Sequence, residues 1–429
     1  MRTVLVVAYL LHYSKGSEFS VAWDYIKHMS KKNRLIVLYG SCGGYHRIGN
    51  TAEMEEFSQK SPLENVSFIP VKPSFKSKNW DYSLKGIREF YREYEQWHKD
   101  LLQVVCQILQ EKKVDIIHFL GPIGYHEPGY LYDMPVPYIW GPIGGLVKAP
   151  FRLLLVSDYK TKMFGGLSLI VKSLTSFVRL WTNQRVKKAM RNADVVIGAT
   201  TGYVNSIERA IGRNHHSRIC YLPENCIEKV YELNLKKFDS EKINLIYIGR
   251  LDEGKAPFLI LEAIARLGDR ANKLHVDMLG GGPLEEMAKK YVEEQHLEDV
   301  VRFCGKVDRS IVLDMLDNAQ LMLLPSLYDA NTTVVWEAMS HAVPTLALDH
   351  CGMHDTIKED CGIKIPLGSY RNVVNRIATS LNEIVSNPIV LRNMAERLVI
   401  ERMEYTWEKR AERFESFYQI AEQQFKNRL

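Results

Sequence analysis

The chain has 429 residues, 46% of them hydrophobic and 25% charged, with a formal net charge of +5. That length exceeds one ordinary core and predicts two domains of roughly 200 residues each, while the mild charge makes no case for a nucleic-acid partner. The seven scattered cysteines suggest neither a disulfide framework nor a zinc site, and no apolar run reaches the length that spans a bilayer.

The opening run, Met-Arg-Thr-Val-Leu-Val-Val-Ala-Tyr-Leu-Leu, lacks the small-residue cleavage site of a signal peptide, and Thr3–Tyr9 reads as a first buried strand. A loop with Gly16 follows, Ser17 is a candidate cap, and Phe19, Ala22, Trp23, Ile26 and Met29 have helical spacing. A glycine loop opening a helix after the first strand is where a diphosphate meets backbone N–H groups; a plain Gly-Ser turn looks the same. Arg34–Tyr39 and Val66–Pro70 are further strands, and residues 83–113 a long helix. Val114–Leu120 is a strand ending at Gly121-Pro122. His118 within it is either a polar group facing a ligand cleft or a core histidine, and His126 and Glu127, just beyond, are alternatives for that polar role. Tyr138 begins another strand that runs into Gly141, Gly144 and Gly145.

Residues 148–191 are the one shift in composition. Ten basic residues, from Lys148 to Arg191, stand against Asp158 alone, interleaved with Leu153–Val156, Leu167–Val171, Phe177 and Leu180-Trp181. Such a segment either lies on an anionic membrane surface or docks on its own domain with a solvated basic face. Ala193–Ala199 and Arg218–Leu222 are strands around the helix Thr200–Ile211, and the polar stretch from 228 to 242 is an interdomain linker.

In the second half, Ile243–Ile248 is a strand running into Gly249-Arg-Leu-Asp-Glu-Gly-Lys, and Pro257–Leu267 is an amphipathic helix. Arg250 and Lys255 therefore sit at a strand's carboxyl end beside a helix start, where two cations neutralise a nucleoside diphosphate. Gly280-Gly-Gly-Pro permits a sharp turn close to a base or ribose, but it is not the dinucleotide fingerprint. Leu321–Leu324, stopped by Pro325, reads as a parallel strand, Val334–His341 as a helix, and Thr345–Leu348 as the next strand. Asp329 in the loop suits sugar hydroxyls, and Glu337, about one turn into the helix, suits a ribose diol. Asn331, Thr332 and Thr333 bring free N–H groups to a phosphate between them. Helices follow at 370–386 and 388–402, and the last helix places Phe414, Phe417, Tyr418 and Ala421 on one face. The alternation of strand and helix in both halves predicts an α/β protein of two Rossmann-like, doubly wound domains.

These residues resemble glycosyltransferase family 4. Asp329 and Glu337, followed by Ala-Met and Val-Pro, are similar to its acidic-x7-Glu motif, although the family usually has Glu first and a Gly-aromatic-Gly run where Ala330-Asn331-Thr332 stands here. Arg250 and Lys255 match its Gly-Arg-Leu-x-x-x-Lys element, and Pro223-Glu-Asn-Cys resembles the turn that closes its first domain. The strand holding His118 is similar to one that often carries a second histidine two places on, where Leu120 stands. The resemblance covers about 243–415 strongly and the rest diffusely. It implies the GT-B architecture, two domains facing across a cleft: 1–227 for the acceptor, 228–405 for the nucleotide-sugar, and a helix at 406–429 crossing back to the first. It implies retaining transfer from a UDP- or GDP-sugar to a hydroxyl, without cofactor or metal, and no Asp-x-Asp is present to demand one. Arg250, Lys255, Asp329 and His118 would be the catalytic set. Gly16, Ser17, Asn331, Thr332, Thr333 and Glu337 would join the first three of these in holding the donor. A lipid-linked acceptor in surface polysaccharide synthesis, at the cytoplasmic face of a membrane, follows from the same resemblance. An epimerase or phosphorylase of the same fold, or a non-catalytic membrane-associated binding module, are the other readings.

Overall fold

A computed structural model describes residues 1–16, 18–42, 49–75, 84–122, 124–154 and 162–428. Strand and helix alternate along it. The first half runs β1 (Thr3–Ala8), α1 (Glu18–Met29), β2 (Arg34–Tyr39), α2 (Ala52–Lys60), β3 (Val66–Pro70), α3 (Leu84–Glu111), β4 (Ile116–Gly121) and β5 (Tyr138–Ile143). Then come α4 (Phe151–Leu154), α5 (Lys162–Thr182), α6 (Gln184–Asn192), β6 (Val195–Gly198), α7 (Thr201–Ile211) and β7 (Ile219–Tyr221). The second half runs β8 (Ile243–Ile248), α8 (Pro257–Ala265), β9 (Leu274–Leu279), α9 (Glu285–Glu294), β10 (Val301–Gly305), α10 (Arg309–Asn318) and β11 (Leu321–Leu324). It ends with α11 (Thr333–Ser340), β12 (Thr345–Leu348), α12 (Cys351–Thr356), β13 (Gly362–Ile365), α13 (Tyr370–Ser386), α14 (Ile389–Glu401) and α15 (Trp407–Arg428).

The chain divides into two compact units: Met1–Leu146 with Phe177–Glu224 and Arg410–Leu429, and Val147–Ser176 with Asn225–Lys409. Among the described residues, the first unit holds a seven-stranded sheet in the order β3-β2-β1-β4-β5-β6-β7 and the second a six-stranded sheet in the order β10-β9-β8-β11-β12-β13. Every recorded pairing is parallel. Helices must then carry the chain back over both faces, so the strands are covered on two sides. This is why Val4–Val7 and Leu321–Leu323 are wholly buried.

The last helix contributes Phe414, Tyr418 and Ala421 to the first unit, all wholly buried. Arg2 holds that helix through Glu415 and Glu422, each at 2.7 Å. The basic, apolar segment needs a correction: residues 147–176 belong to the second unit, not to a first domain ending at 227. Leu153, Leu154 and Ile170 are buried in one core cluster with Tyr247, Phe258 and Leu323, and the Ser173 hydroxyl bridges the Val147 carbonyl and the Ala149 N–H at 3.0 Å each. Those three apolar side chains are therefore interior rather than available to lipid.

Candidate functional site

In the second unit the strand order reverses between neighbours β8 and β11, since β9 lies beyond one and β12 beyond the other. Open parallel sheets form a crevice at such a switch point, outside the carboxyl ends of the strands. The loops leaving these two strands are 249–256 and 325–332, and they are tied together. Leu327 N–H donates to the Gly254 carbonyl at 2.8 Å, and the Ser326 hydroxyl reaches the same carbonyl at 3.3 Å. The first loop is shaped by Asp252, whose carboxylate accepts the Lys255 N–H at 3.0 Å and whose carbonyl accepts the Ala256 N–H at 3.0 Å. Ala256 takes a left-handed backbone (φ 45°) immediately before Pro257, which begins α8.

That geometry brings Lys255 onto Asp329: the ammonium meets the carboxylate directly, and the Ser326 hydroxyl donates to the same carboxylate at 2.5 Å. Arg250 lies on the Asp252 carboxylate, Nε to Oδ2 at 2.8 Å, with its side chain 80% exposed. Asp252 itself is buried, so the guanidinium alone faces water, where it can also meet a ligand anion. Glu337, in the second turn of α11, accepts from Arg309 Nε at 3.0 Å. Burial raises its carboxyl above the ordinary range, and the Arg309 charge opposes that shift. Thr332 is the N-cap of α11 and makes no side-chain capping bond, so the first-turn N–H groups are not closed off by its hydroxyl. Asn331 and Thr333 flank it.

The loop after β9 and the start of α12 wall this place by backbone contact. Gly280 has φ +126°, and a Cβ there would fall inside the Gly249 carbonyl oxygen; one on Gly352 would fall inside the Ala330 carbonyl oxygen. Gly280 and Gly282 thus serve the packing of the β9 loop against the Arg250 loop, in addition to the turn. Asp252, Ser326, Arg309 and Gly352 escape the sequence reading. Asp252 stands three residues before Lys255 and was open to recognition as a turn acid; nothing along the chain connects Arg309 to Glu337.

The first unit has its own switch point, between β1 and β4. Gly16, in the loop after β1, has open space where a Cβ would go, so no close backbone approach explains it here. Ser17 lies outside the described residues. Nearby, His12 Nε2 is 2.8 Å from Glu53 Oε2, and Lys15 is 3.1 Å from the same oxygen. His118 must be corrected. It is wholly buried, with Nε2 2.8 Å from the Gly141 carbonyl and Nδ1 3.1 and 3.2 Å from the hydroxyls of Tyr25 and Tyr418. A carbonyl only accepts, so Nε2 carries the proton and Nδ1 accepts from a tyrosine. Burial pushes the ring down to about 4. With both nitrogens engaged inside the fold, the ring offers nothing to an acceptor. Glu127 is buried and ion-paired with Arg185, and His126 sits between the rings of Tyr125 and Tyr91. Among the described residues no cluster of three or more His, Cys, Asp or Glu is disposed to hold a metal.

Residues 233–399 match the family model for glycosyl transferases group 1. The second-sheet site residues, from Arg250 to Gly352, fall within that match. The chain is 25% identical over 248 residues to the phosphatidylinositol N-acetylglucosaminyltransferase gpi3 subunit of Schizosaccharomyces pombe, covering 55% of this chain and 51% of that protein. The chain spans between 37% and 51% of the length of the first curated relatives it matches. Those homologues include glycosyltransferases of polysaccharide and glycoconjugate biosynthesis. Sucrose-phosphate synthase from Thermosynechococcus elongatus superposes over 98% of both chains with TM-score 0.64 and 14% identity. HepE of Anabaena, solved in complex with UDP, covers 97% of this chain and 99% of its own with TM-score 0.60 and 13% identity. At such identity the likeness shows the fold: two Rossmann-like α/β domains of the GT-B type.

Proposed function

We propose that this protein is a retaining glycosyltransferase that moves a sugar from a nucleotide donor to a hydroxyl of a saccharide acceptor. The observation that carries the reading is the Lys255–Asp329 pair at the switch point of the second sheet, with Arg250 on the same loop. A cation and a carboxylate in contact there match the two ends of a sugar diphosphate, one anionic and one rich in hydroxyl donors. Lys255 and Arg250 take the diphosphate and the charge that grows on it as the sugar leaves. Asp329 accepts from sugar hydroxyls, Glu337 from the ribose, and the start of α11 near Asn331, Thr332 and Thr333 adds N–H donors.

The step breaks the bond between the anomeric carbon and the diphosphate oxygen and forms one to the acceptor oxygen on the same face. The acceptor's proton passes to the departing phosphate. Two cations and a helix start meet the diphosphate charge in this reading, so it needs no metal. The donor is a UDP- or GDP-sugar. The acceptor belongs to the first unit, at the carboxyl ends of β1 and β4, and is a lipid-carried saccharide of surface polysaccharide assembly. The seven cysteines form no disulfide, which suits a reducing, cytoplasmic setting.

A thermal-shift screen of nucleotide-sugars identifies the donor, and labelled-sugar transfer then tests the roles. Lys255→Ala and Glu337→Ala should each lower transfer at least about hundredfold with unchanged melting. Near-normal turnover in both variants would defeat the assignment, and donor turnover without any transferred product would favour an epimerase.

A further inference from the structure

Helix α5 carries an apolar stripe that the fold leaves in solvent. Val171, Leu174, Val178 and Trp181 are between 50% and 59% exposed. Spaced by three and four residues, they share one side of the helix. The opposite side is occupied, with Ser173, Ser176 and Leu180 buried. Single exposed apolar side chains are ordinary; four in line on one anchored helix form a surface.

The charge beside the stripe has one sign. Residues 169–193 contain no Asp or Glu, while Lys172, Arg179, Arg185, Lys187, Lys188 and Arg191 fall within them. Arg185 and Lys188 are engaged by Glu127 and Asp133. Lys172 and Arg179 are exposed and lie two turns apart along one flank of the stripe. No described helix is long and apolar enough to cross a membrane.

We propose that this face of α5 seats the protein on an anionic lipid surface, with the stripe in the headgroup boundary and Lys172 and Arg179 against lipid phosphates. A basic, amphipathic helix with aliphatic residues and a tryptophan on its apolar side binds in the plane of such a surface. The stripe's spacing would also suit a seam between two copies of the chain. In that pairing the flanking positions are Ile170, Thr175, Phe177 and Thr182, which bring no opposite charges to fix it. Lys172 and Arg179, farther round the helix, have no acid on a second copy's α5 to meet, whereas an anionic surface complements them.

The test uses the full chain with vesicles of phosphatidylcholine alone and of phosphatidylcholine and phosphatidylglycerol in equal parts, separated by centrifugation. The wild-type protein should sediment with the mixed vesicles and not with the neutral ones. Leu174→Glu with Val178→Glu should lower binding about tenfold, and Lys172→Glu or Arg179→Glu roughly fivefold at low salt. Leu174, Val178 and Arg179 face water, so melting temperatures should not move on their replacement; the Lys172 ammonium also lies 5.1 Å over the Tyr328 ring, so binding by its variant is compared only where its melt matches the wild type. Absence of wild-type binding to the mixed vesicles, or equal binding by the variants, overturns the proposal. So does a concentration-dependent dimer that the Leu174→Glu, Val178→Glu variant abolishes while no vesicle binding is seen. No donor or acceptor is present, so the outcome is independent of the transfer reading.

Discussion

His118 offers the sharpest separation between a catalytic and an architectural histidine. Its ring bonds to the Gly141 carbonyl on one side and to Tyr25 and Tyr418 on the other. Burial holds the folded-state ring down to about 4 against an ordinary 6.5, a difference of about 3 kcal/mol between the two protonation states. The folded pKa is depressed, so the unfolded chain takes up the proton first as pH falls. Stability from this group is therefore complete above 6.5 and lost progressively down to about 4. His118→Leu removes the titration and leaves the Gly141 carbonyl without its donor, a penalty of about 1–3 kcal/mol at neutral pH. The gap between wild type and variant should then narrow by up to about 3 kcal/mol on acidification. Taking the difference cancels other groups that titrate nearby, such as His98, also pushed down, to about 3. Urea unfolding followed by intrinsic fluorescence across this pH range measures the gap, and transfer by the folded variant should stay within about threefold of wild type, since no reacting group is touched. A variant that keeps wild-type stability while losing transfer more than about hundredfold would mean the ring acts on reacting groups, and the burial argument would fail.

Three other outcomes follow from the same structure. Gly280→Ala, at φ +126° with its Cβ against the Gly249 carbonyl, should cost roughly 2 kcal/mol or more and weaken nucleotide binding, whereas Gly268→Ala, at φ +56° in open space, should cost only about 1 kcal/mol; a thermal melt with and without nucleotide reads both. Lys237 is buried, and that burial lowers its ammonium to about 8. The unfolded chain binds the extra proton between about 8 and 10.5, so stability should rise with pH across that window; Lys237→Met should stabilise by about 1–3 kcal/mol below it and flatten the slope in pH-dependent melts. Lys255→Met and Asp329→Asn should be strongly non-additive in kcat/KM, because each leaves the other's charge without its neighbour; additive losses in the double variant would mean they act separately.

What the sequence makes legible follows from how parallel sheets are buried. Arg34–Tyr39, Ile243–Ile248 and Leu321–Leu324 stand where their apolar runs predict, because strands covered on both faces have no polar side to blur their ends. Helix α2 went unread because Met54 alone of its residues is buried, so no stripe marks it. The same limit explains segment 147–176. Composition shows that it is apolar and basic, but Leu153 and Ile170 would satisfy any core, and which sheet they meet depends on packing that leaves no local trace.

The candidate site divides along the same line. Lys255 and Asp329 are 74 residues apart, yet their meeting was foreseeable. Each follows a buried strand, and in a doubly wound sheet the strands flanking the reversal send their loops to one place. His118 has the opposite character. Its partner Tyr418 lies 300 residues away on the last helix, and no rule of topology delivers a terminal helix to a particular strand residue. A polar side chain inside a strand is thus ambiguous until its bonds are seen, whereas one just past a strand's carboxyl end already has its place decided by the sheet. Arg309 marks the boundary between these cases: it begins the helix before β11, and only side-chain packing brings it to Glu337.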